Sequence, residues 1–387
     1  MTTVGFAIFV NSAWLGGVNY YRNLITALYE DPERRIDVVL LTGSNPDPAH
    51  FKGFPELPMI QSAMLDWRRD FGILGRIWER LTRRNRKLDQ LMRSHGIDVL
   101  SHSFVLGEDA RTRVISWIPD FQHVYLPALF SAREIQERNH KFEAQCSMSD
   151  IVVLSSEAAR ADLIRMFPWA SGKSEVLRFV PRIEGLERLR SRDDLERQYE
   201  FSGPYIYLPN QYWAHKNHGV VVEALALLRQ SGRKVQIIST GNQSDYRHPD
   251  FYEKFCAKLQ QLGVGESYLR LGIVPYADLL ALMRHAVCLI NPSLFEGWST
   301  TVEEGKAMGK HIILSDLPVH REQNPERSDF FATGDAQSLA EIMWKRWQKL
   351  AGKGDPTPPD VLEQQNQAGR LAFSRRYHEI VDRVMQP

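Results

Sequence analysis

Cysteine is scarce: Cys146, Cys256 and Cys288 are the only three in 387 residues, odd in number and far apart. No disulfide framework or zinc-type spacing follows, and a reducing compartment is favoured. Charge of one sign is lacking as well. The 48 Lys and Arg against 47 Asp and Glu leave a formal net charge of +1, which excludes a chain-wide polyanion binder but not a local basic patch. No run approaches the ~18 apolar residues of a membrane span. Met1–Val10 has no basic stretch ahead of its short apolar run, so no signal peptide is expected. The expected location is cytoplasmic, either free or peripheral on the cytoplasmic face of the inner membrane. No Asp-x-Asp stands in a loop suited to a metal, so no metal or other cofactor is expected.

What is present is an alternation of strand and helix. Val4–Val10 is an apolar run, Val18–Tyr29 has helical periodicity, and Asp37–Leu41 reads as a second strand. Short strands are expected at Asp98–Ser101, Val114–Trp117 and Ile151–Leu154, with helices around 127–145 and 156–166. The charged stretch Arg182–Glu200, closed by Ser202-Gly203-Pro204, reads as a connection. A second alternation then runs through strands at Tyr205–Leu208, Lys234–Thr240, Tyr268–Leu271, Ala286–Ile290 and His311–Leu314. The class is α/β: two doubly wound, Rossmann-like halves facing across a cleft. The expected domains are 1–185 and 200–360, with a last helix, 365–387, packing back on the first.

One segment carries most of the functional signal. In Asn291-Pro-Ser-Leu-Phe-Glu-Gly-Trp-Ser-Thr-Thr-Val-Glu-Glu304 an apolar run ends in a polar loop and then opens a helix. Ser299, Thr300 and Thr301 are residue types that cap helices, and the free N–H groups of a helix start favour an anion. Glu296 and Glu304 flank that start. Carboxylates repel phosphate, so both suit neutral hydroxyls on either side of it, and hydroxyls around a diphosphate describe a sugar nucleotide. Two glutamates about a helix start are more often merely solvated; their place at the carboxyl end of a strand, where α/β folds bind ligands, favours the functional reading.

The pattern resembles the retaining GT-B glycosyltransferases of the "glycosyl transferases group 1" kind (family four). The likeness is strongest over 205–325. Glu296 to Glu304 matches that family's E-x7-E signature, which implies that Glu296 holds donor-sugar hydroxyls and Glu304 the ribose. It also implies that the backbone of Gly297, Trp298, Ser299 and Thr300 meets the sugar or diphosphate. In Leu208-Pro-Asn-Gln-Tyr-Trp-Ala-His-Lys-Asn-His218, Lys216 suits a diphosphate leaving group and Asn217 a helix N-cap. The family commonly has Gly-Arg where this chain has Asn210-Gln211, which brings no charge, so a two-cation clamp would need His215 or another Arg to contribute. Gly16 and Gly17 match the family's glycine loop, and they are not followed through as G-x-G-x-x-G, which weakens an NAD reading. By the same resemblance His123 reaches the donor sugar and reacting centre, with Asp120 in support.

The resemblance implies a metal-independent hexosyltransferase. Its donor is a nucleotide-diphosphate sugar, GDP-mannose first, with UDP- or dTDP-sugars as alternatives. Its acceptor is a saccharide or lipid-linked saccharide of polysaccharide, O-antigen, lipopolysaccharide or glycolipid assembly. A phosphorylase- or synthase-like GT-B enzyme and a non-catalytic nucleotide-sugar-binding subunit are the rival readings. A last feature stands apart from the family. From Trp67 to Met92 apolar residues recur at helical spacing, with Arg68, Arg69, Arg83, Arg84, Arg86 and Lys87 among the basic residues beside them and Trp78 on the stripe. That is the pattern of an anionic membrane surface contact, or of a helix packed on the first sheet with a solvated basic face. Its aromatics belong to the stripe, so nucleic acid is not an expected partner.

Overall fold

Residues 1–8, 15–66, 85–103, 106–107, 110–183, 185–352 and 357–386 are described in a computed structural model of the protein. They form two units. The first comprises Met1–Phe121, Ala132–Arg182 and Ala368–Pro387; the second comprises Gln122–Ser131 and Ile183–Gln367.

In the first unit, strands β1 (Thr2–Ala7), β2 (Ile36–Thr42), β3 (Met59–Gln61), β4 (Val99–Ser101), β5 (Arg113–Ile118), β6 (Ile151–Leu154) and β7 (Ser174–Val176) make one sheet. Its order is β3-β2-β1-β4-β5-β6-β7 and its pairs are parallel. β3 and β7 were not expected: Met-Ile-Gln, exposed at both ends, and Ser-Glu-Val do not read as apolar runs. The C-terminal helix Pro359–Met385 gives its later turns to this unit, where Tyr377 donates to Ser101 Oγ at 2.6 Å and Arg370 pairs with Glu30 at 2.8 Å.

In the second unit, β8 (Ile206–Leu208), β9 (Ile237–Ser239), β10 (Tyr268–Arg270), β11 (Leu289–Asn291), β12 (Ile312–Ser315) and β13 (Ser328–Phe331) make the other sheet. Its order is β10-β9-β8-β11-β12-β13, again parallel. The strands are apolar on both sides, and successive residues feed two separate cores. Ile206, Leu208, Ile237 and Ile290 pack with helices His218–Gln230, Phe251–Gln261 and Ala336–Leu350. Tyr205, Tyr207, Ile238 and Leu289 pack with helices Arg192–Tyr199, Tyr276–His285 and Thr300–Ala307. Period two along each strand therefore places helices on both faces, as the α/β reading requires.

The charged stretch Arg182–Glu200 is more than a connection. Ser191 caps the helix Arg192–Tyr199 by accepting from Asp194 N–H, Arg192 and Glu196 pair across one turn, and Leu195 is fully buried. One apolar residue among charges left no stripe for periodicity to find.

Of the basic segment, Trp67, Arg68, Arg69, Trp78, Arg83 and Arg84 lie outside the described residues. Arg86 and Lys87 are exposed at the start of helix Arg86–Ser94, while Leu88 and Met92 are buried in the first unit's core. That end of the stripe is packed inward. Among the described residues no helix is long and apolar enough to cross a membrane.

Candidate nucleotide-sugar site

The strand order of the second sheet reverses between β8 and β11, which lie side by side with Tyr207 opposite Leu289. In an open parallel sheet, ligands bind outside the carboxyl ends of the strands at such a reversal. The two segments leaving those ends are Pro209–Asn217 and Pro292–Ser299, the same two that the sequence singled out.

Each segment leads into a helix whose start has no side-chain cap. Asn217 stands at the N-cap of His218–Gln230 in a left-handed conformation (φ 53°, ψ 40°), yet its side chain does not cap. Its Nδ2 donates instead to the carbonyl of Pro292 at 3.2 Å, tying one segment to the other. Ser299 stands at the N-cap of Thr300–Ala307, and its hydroxyl also caps nothing; it accepts from Asn291 Nδ2 at 2.7 Å. The expected capping roles of Asn217 and Ser299 are thus corrected: both side chains are diverted into bracing the loops. Two helix starts keep their positive ends uncapped by side chains on one side of the sheet.

Lys216 and Glu296 meet between them. Lys216 Nζ lies 2.6 Å from Glu296 Oε1, with the side chains 17% and 8% exposed. Ser293 Oγ is 2.6 Å from the same oxygen and 2.7 Å from Asn291 Oδ1, and its single proton can serve one of them at a time. Burial acts to raise the Glu296 carboxyl, but Lys216, His215 and His320 outweigh it and the net shift is downward. Glu296 is held ionised.

Glu304 is the opposite case. It is buried in the helix Thr300–Ala307 with no cation in contact among the described residues, and burial pushes its carboxyl up to about 7, against a smaller lowering by Tyr276, whose hydroxyl donates to Oε1 at 2.9 Å. Its neighbour Glu303 is occupied otherwise, accepting from Lys306 Nζ at 3.0 Å and Gln323 Nε2 at 2.8 Å. The same Gln323 amide donates to the Ser299 carbonyl at 2.9 Å.

Two imidazoles face this centre with a buried nitrogen unpartnered: Nδ1 of His215 and Nε2 of His320. Burial first, then the Lys216 charge, pushes His215 down to about 3. Burial also lowers His320, although Glu296 raises it. Both rings are neutral near pH 7, and a buried polar atom without a partner is the exception that calls for a ligand or water. His218 is different. It bridges the Tyr268 hydroxyl and the Gln211 carbonyl at 2.8 and 3.1 Å and stacks on Tyr212, which is structural work.

The Asn210-Gln211 backbone is set by a glycine. Gly241, after β9, has φ +141°, and a Cβ there would come within 2.5 Å of the Asn210 carbonyl oxygen and 2.7 Å of Gln211 Cα. Asn210 is buried, with Oδ1 accepting from Thr301 Oγ1 at 3.2 Å; Gln211 is exposed. Neither supplies a cation. A cation does stand in the neighbouring loop: Arg247, which donates to Gln122 Oε1 at 3.0 Å and lies against Trp213 and Phe130.

That contact belongs to a rearrangement the sequence did not show. Gln122–Ser131 clusters with the second unit although it follows a strand of the first. Tyr125 packs on Phe295, one residue from Glu296, at 5.2 Å between ring centroids. His123 is therefore in the unit that holds Glu296, buried and edge-on to Phe130. Asp120 stays in the first unit, where it accepts from Arg138 at 2.6 Å. Gly16 and Gly17 also lie in the first unit, opening helix Leu15–Glu30. Gly297, Trp298 and Thr300 lie in the segment from Glu296 to the helix start, half-buried except for the exposed Thr300. Among the described residues no group of three or more His, Cys, Asp or Glu could hold a metal ion. Tyr276, His320, Gln323 and Arg247 escaped the sequence reading, since each reaches the site from an element without a spacing signal.

Residues 192–345 match the family model described as Glycosyl transferases group 1. No curated protein matches the chain in sequence. Among solved structures, the chain is similar to a glycosyltransferase from Rickettsia africae (15% identity, TM-score 0.67, covering 100% of this chain and 99% of that one). It is similar to Anabaena Alr3699/HepE, solved with UDP and glucose (16%, 0.68, 99% and 100%). It is also similar to WaaG, a glycosyltransferase involved in lipopolysaccharide biosynthesis (14%, 0.59, 99% and 100%). Two parallel-sheet, Rossmann-like units of this kind are the GT-B fold.

Proposed function

We propose that the protein is a retaining, metal-independent glycosyltransferase that moves a hexose from a nucleotide-diphosphate sugar to a saccharide or lipid-linked saccharide. The observation that carries this reading is the pair of helix starts without side-chain caps at the β8–β11 reversal, flanked by one carboxylate held ionised and one poised near neutrality. The diphosphate lies at the helix starts beside Lys216, where the charge of the leaving group grows as the glycosidic bond breaks. Glu296 offers its second oxygen, Oε2, to the sugar hydroxyls. Glu304 accepts from the ribose hydroxyls, and their arrival in place of water favours its ionised form. His123 and the unpartnered nitrogens of His215 and His320 supply polar contacts to the sugar side. Neither glutamate is the general base: the departing phosphate oxygen takes the acceptor proton, and the protein positions the reactants and stabilises charge.

GDP-mannose is the sequence preference for the donor, and the UDP and UDP-glucose complexes of Alr3699/HepE put UDP-hexoses beside it. The lipopolysaccharide enzymes among the similar structures accord with a glycolipid or polysaccharide acceptor met on the cytoplasmic face. Arg83, Arg84, Arg86 and Lys87 would then contact anionic lipid, and salt-sensitive vesicle binding that these residues do not affect would remove that element. A thermal-shift screen of GDP-, UDP-, ADP- and dTDP-sugars tests the donor site, because a ligand of the native state raises the melting temperature. One class should stabilise the wild type and not Glu304→Ala. No shift with any donor would sink the reading. A shift without transfer to any acceptor would point to the non-catalytic binding subunit.

A further inference from the structure

The short helix Pro318–Gln323, which follows β12, carries two buried polar side chains three residues apart, His320 and Gln323. Gln323 is committed to the start of the helix that bears Glu304. It accepts from the Ser299 N–H at 3.3 Å and donates to the Ser299 carbonyl at 2.9 Å.

His320 is committed at one nitrogen only. Its Nδ1 lies 2.8 Å from the Ser315 carbonyl and 3.4 Å from Ser315 Oγ. A carbonyl only accepts, and Ser315 gives its own hydroxyl proton to the Ser293 carbonyl at 2.6 Å. The hydrogen of the neutral ring therefore sits on Nδ1, and Nε2 is left as a bare acceptor. Burial holds the ring neutral near pH 7. Nε2 is itself buried and has no partner among the described residues. An acceptor withdrawn from water without a donor is costly, and native structures rarely leave one so.

The strongest charge acting on the ring is that of Glu296, a second acceptor, whose Oε1 is already engaged by Lys216 and Ser293. Ser293 also supplies the carbonyl that Ser315 holds, so the imidazole, the end of β12 and the Glu296 loop are one connected set. Neighbouring acceptors are satisfied by a ligand that brings its own hydrogens. Sugar hydroxyls do so; an ether oxygen, a fluorine or a carboxylate does not.

We infer that His320 Nε2 accepts a hydrogen bond from one hydroxyl of the transferred sugar, and that it selects donors by a free O–H at that ring position. The inference rests on the nucleotide-sugar reading of the site and sharpens it. His320 is then a specificity-determining residue, and a sugar whose hydroxyl at that position is missing or replaced by fluorine is rejected.

Calorimetric titration of the full chain with UDP-glucose against UDP, and with GDP-mannose against GDP, isolates the contribution of the sugar. His320→Asn keeps an amide N–H where Nδ1 stands, so the Ser315 carbonyl stays paired, and it removes Nε2. His320→Gln instead places an amide oxygen near the position of Nε2. For the pair that binds, His320→Asn should weaken the nucleotide sugar about three- to tenfold, the scale of one neutral hydrogen bond, and leave the nucleoside diphosphate unchanged. His320→Gln should recover part of the loss. The monodeoxyfluoro forms of the same donor need no variant to fold. One of them should bind the wild type as weakly as the parent donor binds His320→Asn, and should lose nothing further in that variant. An equal fall for sugar nucleotide and diphosphate would make His320 merely structural and overturn the inference, as would a fluoro series in which no member is coupled to His320. A wild type that binds neither sugar nucleotide nor diphosphate would overturn the donor site itself, and the inference with it.

Discussion

Lys216 Nζ and Glu296 Oε1 are 2.6 Å apart, and both side chains are largely withdrawn from solvent. The cation proposed to face phosphate and the carboxylate proposed to face the sugar are thus one ion pair in the structure. Desolvation makes such a pair weak evidence for stability, but removing one partner strands the other as a buried charge. Lys216→Met should cost about 3–5 kcal/mol in denaturant unfolding. Adding Glu296→Gln to it should restore part of that loss. Strict additivity of the two single changes would show that the pair is not coupled.

Glu304 predicts a pH dependence of stability. Its carboxyl sits at about 7 in the folded chain against an ordinary 4.5. Below pH 4.5 both folded and unfolded forms are protonated and the group contributes nothing. Between pH 4.5 and about 7 the unfolded chain ionises first, so stability falls as pH rises, by on the order of 3 kcal/mol, and then levels off. Glu304→Gln should remove that fall, as followed by urea midpoints across the range.

Donor binding should run the other way. If ribose hydroxyls donate to the ionised carboxylate, affinity rises with pH through about 7 and is flat above it. Glu304→Gln should flatten the profile and weaken binding about 10- to 100-fold, the scale of a hydrogen bond to a charged group. An unchanged profile in calorimetry would remove Glu304 from the ligand.

His215 should leave no mark on that profile. Burial keeps it neutral, at about 3. His215→Asn should weaken donor binding about three- to tenfold through a lost neutral hydrogen bond, without moving the transition near pH 7. A displaced transition would show that the imidazole titrates there.

Gly241→Ala tests the loop geometry without touching a ligand-facing side chain. A methyl at φ +141°, aimed at the Asn210 carbonyl, forces one of the two loops to move. We expect a loss of about 1–3 kcal/mol together with weaker donor binding, measured by melting with and without the nucleotide sugar. Undiminished binding would show that the Asn210-Gln211 backbone tolerates displacement.

The apolar strands and the helix after Thr300 were legible because burial on both faces writes itself as a run, and a helix start as a cluster of hydroxyl residues. Glu296, Glu304 and Lys216 were legible for the same reason, each being near a strand end in sequence. The transfer of Gln122–Ser131 to the second unit was not. It depends on Tyr125 finding Phe295 and Arg247 finding Gln122, contacts 125 or more residues apart with no local signature. Tyr276, whose hydroxyl donates to Glu304, is invisible for the same reason. So were the diverted caps: the sequence supplies Asn217 and Ser299 where caps belong, and tertiary contacts then claim their side chains.

Asn217 shows what that diversion means for engineering. A residue chosen to optimise the local helix, such as Ser, would accept from the helix's own N–H groups and add to its stability by roughly a kcal/mol. It would also let go of the Pro292 carbonyl and give up a left-handed backbone that asparagine tolerates well. A consensus-minded stabiliser would count the change as an improvement. The protein instead keeps a helix start that no side chain caps, and an unguided search for thermostability would cap it first.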